Sequence, residues 1–352
     1  MSKMKTLKYK VGGHVFSLRL EDPWHEMNYI PAVAERIKVA REGTSPLCIP
    51  PVRAGDDVPA RTFVTGRHEL PADMDGHTLD LSQYAPFATE EGDPAFTLTV
   101  REGETPEIRD LMASREGMNL IIRVDEALPY YSIYSKGNKV YFELEPMEGR
   151  VFGTLVVDDS FRSGEYFPKP GVGPYSTLMQ VSTSLMVMYM ATFSTASTLL
   201  MHASVVRHDG KANLFLGSSG TGKSTHSRLW LENIEGCDQI NDDNPVLRLM
   251  DDGLRVFGTP WSGKTPCYRN VDAPVRAIVR LEQAPENKIT RLKGLAAYAA
   301  VLPSASSIKW DRKLAESLSS TVEKIAMTVP VWHLGCLPDP DAAFTCRNAL
   351  EG

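Results

Sequence analysis

The sequence lacks several features that would place it in a specialised class of protein. Its five cysteines are scattered and never spaced as CxxC, so they indicate neither a disulfide framework nor a zinc site. Basic residues are not in excess: the formal net charge is -6, which argues against a surface built for nonspecific grip on nucleic acid. With 42% hydrophobic residues among 352, the composition predicts a globular protein of one or two domains.

Apolar segments typical of export or membrane insertion are also missing. The N-terminus is basic, but a turn and an alternating strand stand where a signal peptide needs a continuous apolar segment. The uncharged stretch at 171–201 has the hydropathy of a membrane span, yet many Ser and Thr side chains dilute it and no Lys or Arg cluster flanks it. The sequence therefore predicts a buried helix after Gly173-Pro174, in a protein of the reducing cytoplasm.

The first half of the chain is predicted to be rich in β-strands. Phe16, Leu18 and Leu20 alternate with polar residues after a Gly12-Gly13 turn, a pattern typical of a hairpin. A second hairpin is predicted around the turn at 136–139. Between the two hairpins, a polar region rich in Pro and Gly predicts loops and short strands.

The clearest motif is a glycine-rich loop at 217–224. Its letters, GSSGTGKS, match G-x-x-x-x-G-K-[ST] at every fixed position, between a predicted strand and a predicted helix. Glycines allow backbone N–H groups to wrap an anion, and the helix N-terminus adds donors and a favourable dipole. We expect Lys223 to bridge the outer phosphates of a purine nucleoside triphosphate and the Ser224 hydroxyl to bind Mg²⁺. The alternative, a loop that only turns a strand into a helix, is disfavoured by this context.

Two aspartates follow the helix that the loop opens. Asp242 comes nineteen positions after Lys223, a separation that fits one helix and one short strand. Two carboxylates beside the loop can have separate roles, because one can hold the metal while the other accepts a proton from an attacking hydroxyl. Taken alone, the pair Asp242-Asp243 would indicate an acidic turn. Another pair, Asp251-Asp252, precedes a glycine between two apolar runs and predicts a turn.

A predicted strand at 199–206 carries His202 and joins the strand of the loop through a short turn. An antiparallel partner directly before that strand differs from the common parallel nucleotide-binding sheet, which needs a long crossover. From the strand alone, His202 is expected to be a buried, hydrogen-bonded histidine. Thr225 and His226 are in the same way expected to be ordinary residues of the first helical turn.

Together these motifs resemble the catalytic domains of the HPr kinase/phosphorylase family and the related nucleotide-dependent phosphoenolpyruvate carboxykinases. The matching letters are MHAS at 201–204, LGSSGTGKST at 216–225 and the Asp242-Asp243 pair, in that order. The resemblance covers residues 176–345. It implies an α/β fold, a phosphoenolpyruvate carboxykinase/HPr kinase-like P-loop domain with mixed antiparallel sheets, preceded by a β-rich N-terminal domain.

The resemblance also implies roles for individual residues. His202 would face the metal and the phosphates, Asp243 would bind the metal with Ser224, and Asp242 would be the base. Lys264, in the segment GTPWSGK at 258–264, is a candidate second phosphate contact, with a solvated loop lysine as the alternative. The residues expected to bind the nucleotide are Gly217, Ser218, Ser219, Gly220, Thr221, Gly222, Lys223, Ser224, Thr225 and Lys264.

We therefore expect a β-rich N-terminal domain at 1–172 and a nucleotide-binding domain at 173–352, joined through the Pro- and Gly-rich stretch 161–174. The expected reaction is ATP-dependent transfer of the γ-phosphoryl group to an acceptor hydroxyl of a small molecule, peptide or protein serine, with Mg²⁺. The alternatives are a nucleotide-binding sensor or scaffold without efficient transfer, and a carboxykinase-like lyase.

The acceptor stays open, as do self-association into a homo-oligomer and the choice of ATP or GTP. The chain has neither the arginine-rich loop with which HPr kinases engage their protein substrate nor a recognisable oxaloacetate-binding set of arginine and lysine. The N-terminal domain is expected to recognise the acceptor, and the alternative is that it only covers an apolar face of the second domain. We expect no nucleic-acid or membrane partner.

Overall fold

Two large β-sheets with flanking helices organise the part of the chain that the structure describes. The structure is a computed structural model that describes residues 4–27, 77–125, 130–263 and 266–352. Both sheets combine parallel with antiparallel strand pairs, so the mixed α/β class predicted from the sequence is confirmed. Among the helices in these ranges, none has both the length and the apolar character needed to cross a bilayer.

The first sheet has eight strands in the order β1-β2-β5-β10-β9-β8-β7-β6, and β3 pairs separately with β4. The elements of this half are β1 (Met4–Val11), β2 (His14–Glu21), β3 (His25–Met27), β4 (Thr78–Asp80), a 3-10 helix (Ser82–Phe87), β5 (Thr97–Val100), α1 (Pro106–Ser114), β6 (Asn119–Val124), β7 (Tyr130–Lys136), β8 (Lys139–Glu145), β9 (Gly153–Asp158) and β10 (Ser163–Pro168). Both predicted hairpins are confirmed, as β1–β2 and β7–β8.

The second sheet has ten strands, with the main path β14-β12-β13-β17-β16-β15-β11-β19; β20 lies beside β17, and β18 lies beside β20. The elements are α2 (Pro174–Phe193), β11 (Thr198–Met201), β12 (Ala203–His208), β13 (Lys211–Leu216), α3 (Lys223–Asn233), β14 (Asp238–Asp243), β15 (Val246–Met250), β16 (Gly253–Phe257), β17 (Asp272–Gln283), β18 (Lys288–Leu292), α4 (Gly294–Val301), β19 (Ala305–Ser306), α5 (Arg312–Thr328), β20 (Val331–Cys336) and α6 (Pro340–Glu351). Short 3-10 turns follow α2 (Ser194–Ala196) and α4 (Leu302–Ser304).

Local sequence explains where the helices start. The Asp311 side chain accepts the N–H of Leu314 at 2.9 Å and caps α5, and Asp339 caps α6 in the same way before Pro340. The predicted helix after Gly173 is confirmed as α2, although it ends at Phe193. Because its apolar residues surround much of the helix, α2 is buried among other elements.

Helices cover both faces of the second sheet. On one face, apolar side chains of α4 and α5 pack on β13 and β17. On the other face, Leu229 and Trp230 of α3 pack with residues of α6 against the same strands. Strand β13 is therefore buried on both sides. The loop that follows it lies at the edge of the sheet where β13 ends.

One hydrophobic core joins the two sheets. It contains Phe16, Leu98 and Leu155 of the first sheet together with Leu185 and Met188 of α2. The hydroxyl of Tyr189 in α2 donates to the carbonyl of Val11 at 3.0 Å. The domain boundary after residue 172 stays a prediction, but the two sides of it share buried apolar surface.

Two expectations about local structure are corrected. The stretch interpreted as a passage between domains contains β10, which lies in the interior of the first sheet between β5 and β9. The single strand predicted at 199–206 is two strands, because the chain leaves β11 at His202 and enters β12, which lies elsewhere in the sheet. The second correction matters for the site, because it puts His202 at a break between strands.

Candidate functional site

The glycine-rich loop connects the end of β13 to the start of α3. Gly217, Gly220 and Gly222 have φ values of 156°, 82° and 107°, in the region that favours glycine. A Cβ on Gly220 or Gly222 would meet nothing within 4 Å, so the backbone conformation, and not crowding, requires glycine there. The loop therefore has the shape and the open space that a cradle for an anion needs.

Lys223, the first residue of α3, folds back onto this loop. Its Nζ donates to the carbonyl oxygens of Gly217 at 2.9 Å and Ser218 at 3.3 Å. Burial lowers the pKa of Lys223, and the nearby carboxylates of Asp243 and Asp242 oppose that shift. The ammonium group is thus held among the loop residues with two carboxylates near it.

The register of β12 against β14 brings the MHAS letters and the aspartate pair together. Ser204 lies opposite Asp242, and Ala203 lies opposite Asp243. The Ser224 hydroxyl donates to Oδ1 of Asp242 at 3.0 Å, which ties the loop to the pair. Asp242 is only 5% exposed, and burial raises the pKa of its carboxyl group while hydrogen bonds from Ser204 and Ser224 act in the opposite direction.

Asp243 has different surroundings from its neighbour. Its Oδ1 lies 3.3 Å from Nε2 of His202, and both side chains are more than a third exposed. His202 is therefore not the buried histidine that the strand pattern alone predicted. Asp243 also has a φ of 132°, which an L-residue rarely adopts, and such strain commonly marks a functional position.

The segment at 258–263 packs against the same two aspartates. The N–H of Gly263 and the hydroxyl of Ser262 both donate to the carbonyl oxygen of Asp242, at 2.7 and 3.0 Å. Thr259 accepts a hydrogen bond from the buried amide of Asn241, directly before the pair. Lys264, predicted as a second phosphate contact, lies outside the described residues.

A cavity of about 430 Å³ opens beside the loop. It is lined by residues 217–221 and by the end of β17, from Arg280 to Gln283. Sequence reasoning did not assign these β17 residues to the site. The missing information was strand pairing: β17 runs parallel to β13 with Arg280 opposite Leu216, so both strands end at the same edge. Gln283 also donates to the carbonyl of Gly220 at 3.3 Å.

Two other groups of polar side chains lie away from these residues. A cavity of about 340 Å³ between α1 and strands β6 to β8 is lined by charges of both signs and contains none of the predicted site residues. His208, Asp209 and Glu351 form a cluster with metal-ligand chemistry, but Arg276 also pairs with Glu351. The hydrogen bond between His208 and Glu351, at 2.7 Å, attaches α6 to β12.

The predicted residues could hold a divalent cation. Ser224 and Asp242 supply oxygen atoms, and Asp243 and His202 supply a carboxylate and an imidazole. Mg²⁺ prefers oxygen ligands, usually one or two carboxylates with phosphate oxygens. The chemistry of this donor set therefore fits Mg²⁺ bound together with a polyphosphate.

The comparisons with known proteins correct the sequence interpretation. A family model described as SynChlorMet cassette protein ScmC matches residues 174–334, just under half of the chain. The matched part extends from α2 into β20 and includes the loop, His202 and the aspartate pair. The search of curated proteins gives no match.

The resemblance to HPr kinase/phosphorylase and the carboxykinases is therefore wrong. Its physical basis was a phosphate loop and a carboxylate pair, which serve phosphate chemistry in chains of different families. Such motifs indicate what a site can bind, but they do not define the family.

Proposed function

We propose that this protein is an ATP-dependent phosphotransferase, which binds ATP and Mg²⁺ at residues 217–225 and transfers the γ-phosphoryl group to an acceptor hydroxyl. The observation that carries the proposal is the hydrogen bond between Ser224 of the loop and Asp242, with Asp243 and His202 next to it. A site for binding alone would need only the loop. On this proposal residues 173–352 form a P-loop kinase-type nucleotide domain.

The loop supports the proposal because its residues fit a polyphosphate. Three glycines with positive φ open the backbone, and Lys223 supplies a positive charge that is already among them. Thr225 follows in the first turn of α3, where N–H groups lack helical partners. Bound Mg²⁺ would offset negative charge on the phosphoryl group during transfer.

The two aspartates are proposed to have separate roles. Asp243, with Ser224, would hold the metal, and Asp242 would accept the proton. In the reaction the acceptor oxygen forms a bond to the γ-phosphorus, the bond from that phosphorus to the β–γ bridging oxygen breaks, and the acceptor proton passes to Asp242. Lys223 and His202 would stabilise the charge that develops on the phosphoryl oxygens.

One observation supports the opposite assignment of the pair. Ser224 contacts Asp242 directly, and in phosphate-loop proteins a loop serine and an aspartate commonly hold the metal together. Asp243, which is more exposed, would then take the proton. Both assignments require the same two carboxylates, and single substitutions distinguish them.

Formation of ADP tests the proposed transfer. Purified protein is incubated with ATP, Mg²⁺ and pools of acceptors, one of small hydroxyl compounds and one of serine peptides. We expect at least one pool to raise ADP formation, and EDTA and Asp242→Asn to suppress the increase. If the protein binds ATP but ADP forms no faster with any pool than it does with Asp242→Asn, the protein is a nucleotide-binding sensor or scaffold. The lyase alternative depended on the overturned resemblance and is not retained.

A further inference from the structure

We propose that Tyr84, in the N-terminal half, is a positioning residue for the aspartate pair and acts through Trp261. The inference rests on the proposed function, because it names what fixes Asp242 and Asp243 in place. It also gives the N-terminal half a part in the site without requiring that it contact the nucleotide.

The first link runs from the 3-10 helix at Ser82–Phe87 to Trp261. Tyr84 in this helix is fully buried, and its hydroxyl accepts the indole N–H of Trp261 at 3.0 Å. The same hydroxyl lies 2.6 Å from Oγ of Ser182 in α2. Burial raises the pKa of Tyr84 to about 12, so the phenol stays neutral, and either hydroxyl can be the donor of this second hydrogen bond.

Trp261 is itself enclosed by residues from both halves of the chain. Its side chain is 3% exposed, with the ring of Phe16 stacked at a centroid distance of 6.3 Å and the ring of Tyr189 edge-on at 5.3 Å. Such aromatic contacts stabilise the position of the ring, but the hydrogen bond to Tyr84 fixes its rotation. These side-chain contacts therefore hold the backbone of Trp261 in place.

The second link runs from Trp261 to the aspartates. Ser262 forms a β-bridge with Asp243, and Ser262 and Gly263 both donate to the carbonyl oxygen of Asp242. The approach is close: a Cβ on Gly263 would lie 3.1 Å from Cβ of Asp243. A movement of the segment at 259–263 would therefore move the pair.

A second contact attaches the same 3-10 helix to this part of the chain. The side chain of Asn270 donates to the carbonyl oxygen of Pro86 at 3.1 Å. Downstream of Gly258, this contact and the one from Tyr84 hold the chain against the 3-10 helix of the N-terminal half. The N-terminal half thus supports the geometry on which metal binding by the pair would depend.

Tyr84→Phe is the variant that tests the inference, because it removes the hydroxyl and keeps the ring. The matched control is Tyr166→Phe: Tyr166 is also buried and its hydroxyl makes one hydrogen bond, to the carbonyl oxygen of Phe152 at 3.2 Å. If Tyr84→Phe does not fold, Trp261→Phe removes the same hydrogen bond from the other partner. The two changes share the Tyr84–Trp261 hydrogen bond, so the effect of the double variant on exchange at 259–263 should be smaller than the sum of the two single effects.

The first measurement is amide hydrogen exchange in the absence of any nucleotide. In Tyr84→Phe we expect exchange at Gly263 and its neighbours to become about fivefold faster or more, on the usual strength of a buried hydrogen bond. Tyr166→Phe should leave these amides unchanged. Unchanged exchange at 259–263 in Tyr84→Phe and Trp261→Phe would overturn the inference, whatever the protein binds.

The second measurement separates positioning from general destabilisation. ATP affinity is measured calorimetrically with Mg²⁺ and with EDTA, and Tyr84→Phe is expected to lose about fivefold or more in Mg²⁺ and nothing in EDTA. A uniform loss in both buffers, or no loss in either, contradicts a role at the pair. If wild-type protein binds no ATP in either buffer, the proposed function fails, and the exchange measurement still decides whether Tyr84 holds the segment.

Discussion

At the scale of single residues, the two aspartates differ in ways that the sequence could not show. Both lie at the end of β14, yet Asp242 is buried and hydrogen-bonded to Ser224, and Asp243 is partly exposed beside His202. Neighbouring residues of a strand point to opposite sides, so two adjacent identical side chains enter different surroundings. This difference is what makes a division of roles testable.

Substitution of each aspartate by asparagine tests the proposed roles. Asp243→Asn removes a charge from the metal-binding set, so we expect ATP affinity in Mg²⁺ to fall about tenfold or more. Asp242→Asn should leave that affinity nearly intact and lower turnover about 10²-fold or more, because a positioned base is lost. The two variants are compared by calorimetry and by ADP formation. Exchanged phenotypes would show that Asp242 holds the metal and Asp243 takes the proton.

Arg280 provides a second residue-scale prediction. It lines the cavity beside the loop and lies opposite Leu216 in the register of β17 against β13. If the nucleotide phosphates lie in this cavity, Arg280→Ala should weaken ATP binding about fivefold or more, and less at high salt. The control is Arg312→Ala, an exposed arginine that pairs with Glu316 on α5. Equal affinities in the two variants would mean that Arg280 does not contact the nucleotide.

At the scale of elements, hairpins and the loop could be predicted, whereas the partners of strands could not. The turn at Gly12-Gly13 and the glycine-rich loop depend on local backbone geometry, so their residue types alone predict them. By contrast, β10 lies within a Pro- and Gly-rich stretch, and it pairs on one side with β5, which is distant in the sequence, and on the other with the preceding strand β9. The break at His202 has the same origin, because β11 and β12 pair with different neighbours.

Gly258, which precedes the residues that contact the aspartates, provides a prediction at the scale of elements. A Cβ on Gly258 would overlap the carbonyl oxygen of Arg269 and lie 3.0 Å from that of Ile240. Both neighbours are backbone atoms, so Gly258→Ala should lower the free energy of unfolding by about 1–3 kcal/mol. Gly103→Ala is the control, since its nearest neighbour would be 3.9 Å away. Equal denaturation midpoints for the two variants would contradict the close packing described for this segment.

At the scale of the whole molecule, the two halves share one hydrophobic core. The N-terminal sheet covers α2, and the shared core also includes Leu200, Val246 and Trp261. Composition indicated a protein with a large core but not where that core lies, because burial between distant segments leaves no local pattern. This arrangement favours the alternative in which the N-terminal half covers an apolar face of the second half.

A fragment that starts near Gly171 tests this dependence. Without the first sheet, the apolar side chains of α2 that pack on it would be exposed to water, so we expect the fragment to aggregate or to lose ATP binding. Size-exclusion chromatography and calorimetry on the fragment and the full chain decide the matter. A monomeric fragment that binds ATP as the full chain does would show that residues before it serve another purpose, such as acceptor recognition.

The central claim is that ATP binds on the loop at 217–225 and that Lys223 supplies its fixed positive charge. The most direct test is a calorimetric titration of Mg-ATP into the wild-type protein, Lys223→Ala and Lys211→Ala, the last being an exposed lysine at the start of β13. We predict that wild-type and Lys211→Ala bind with the same affinity and that Lys223→Ala binds about tenfold more weakly or worse, as expected for lost hydrogen bonds from a charged group. Equal affinities in all three proteins, or no binding by the wild type, would contradict the account.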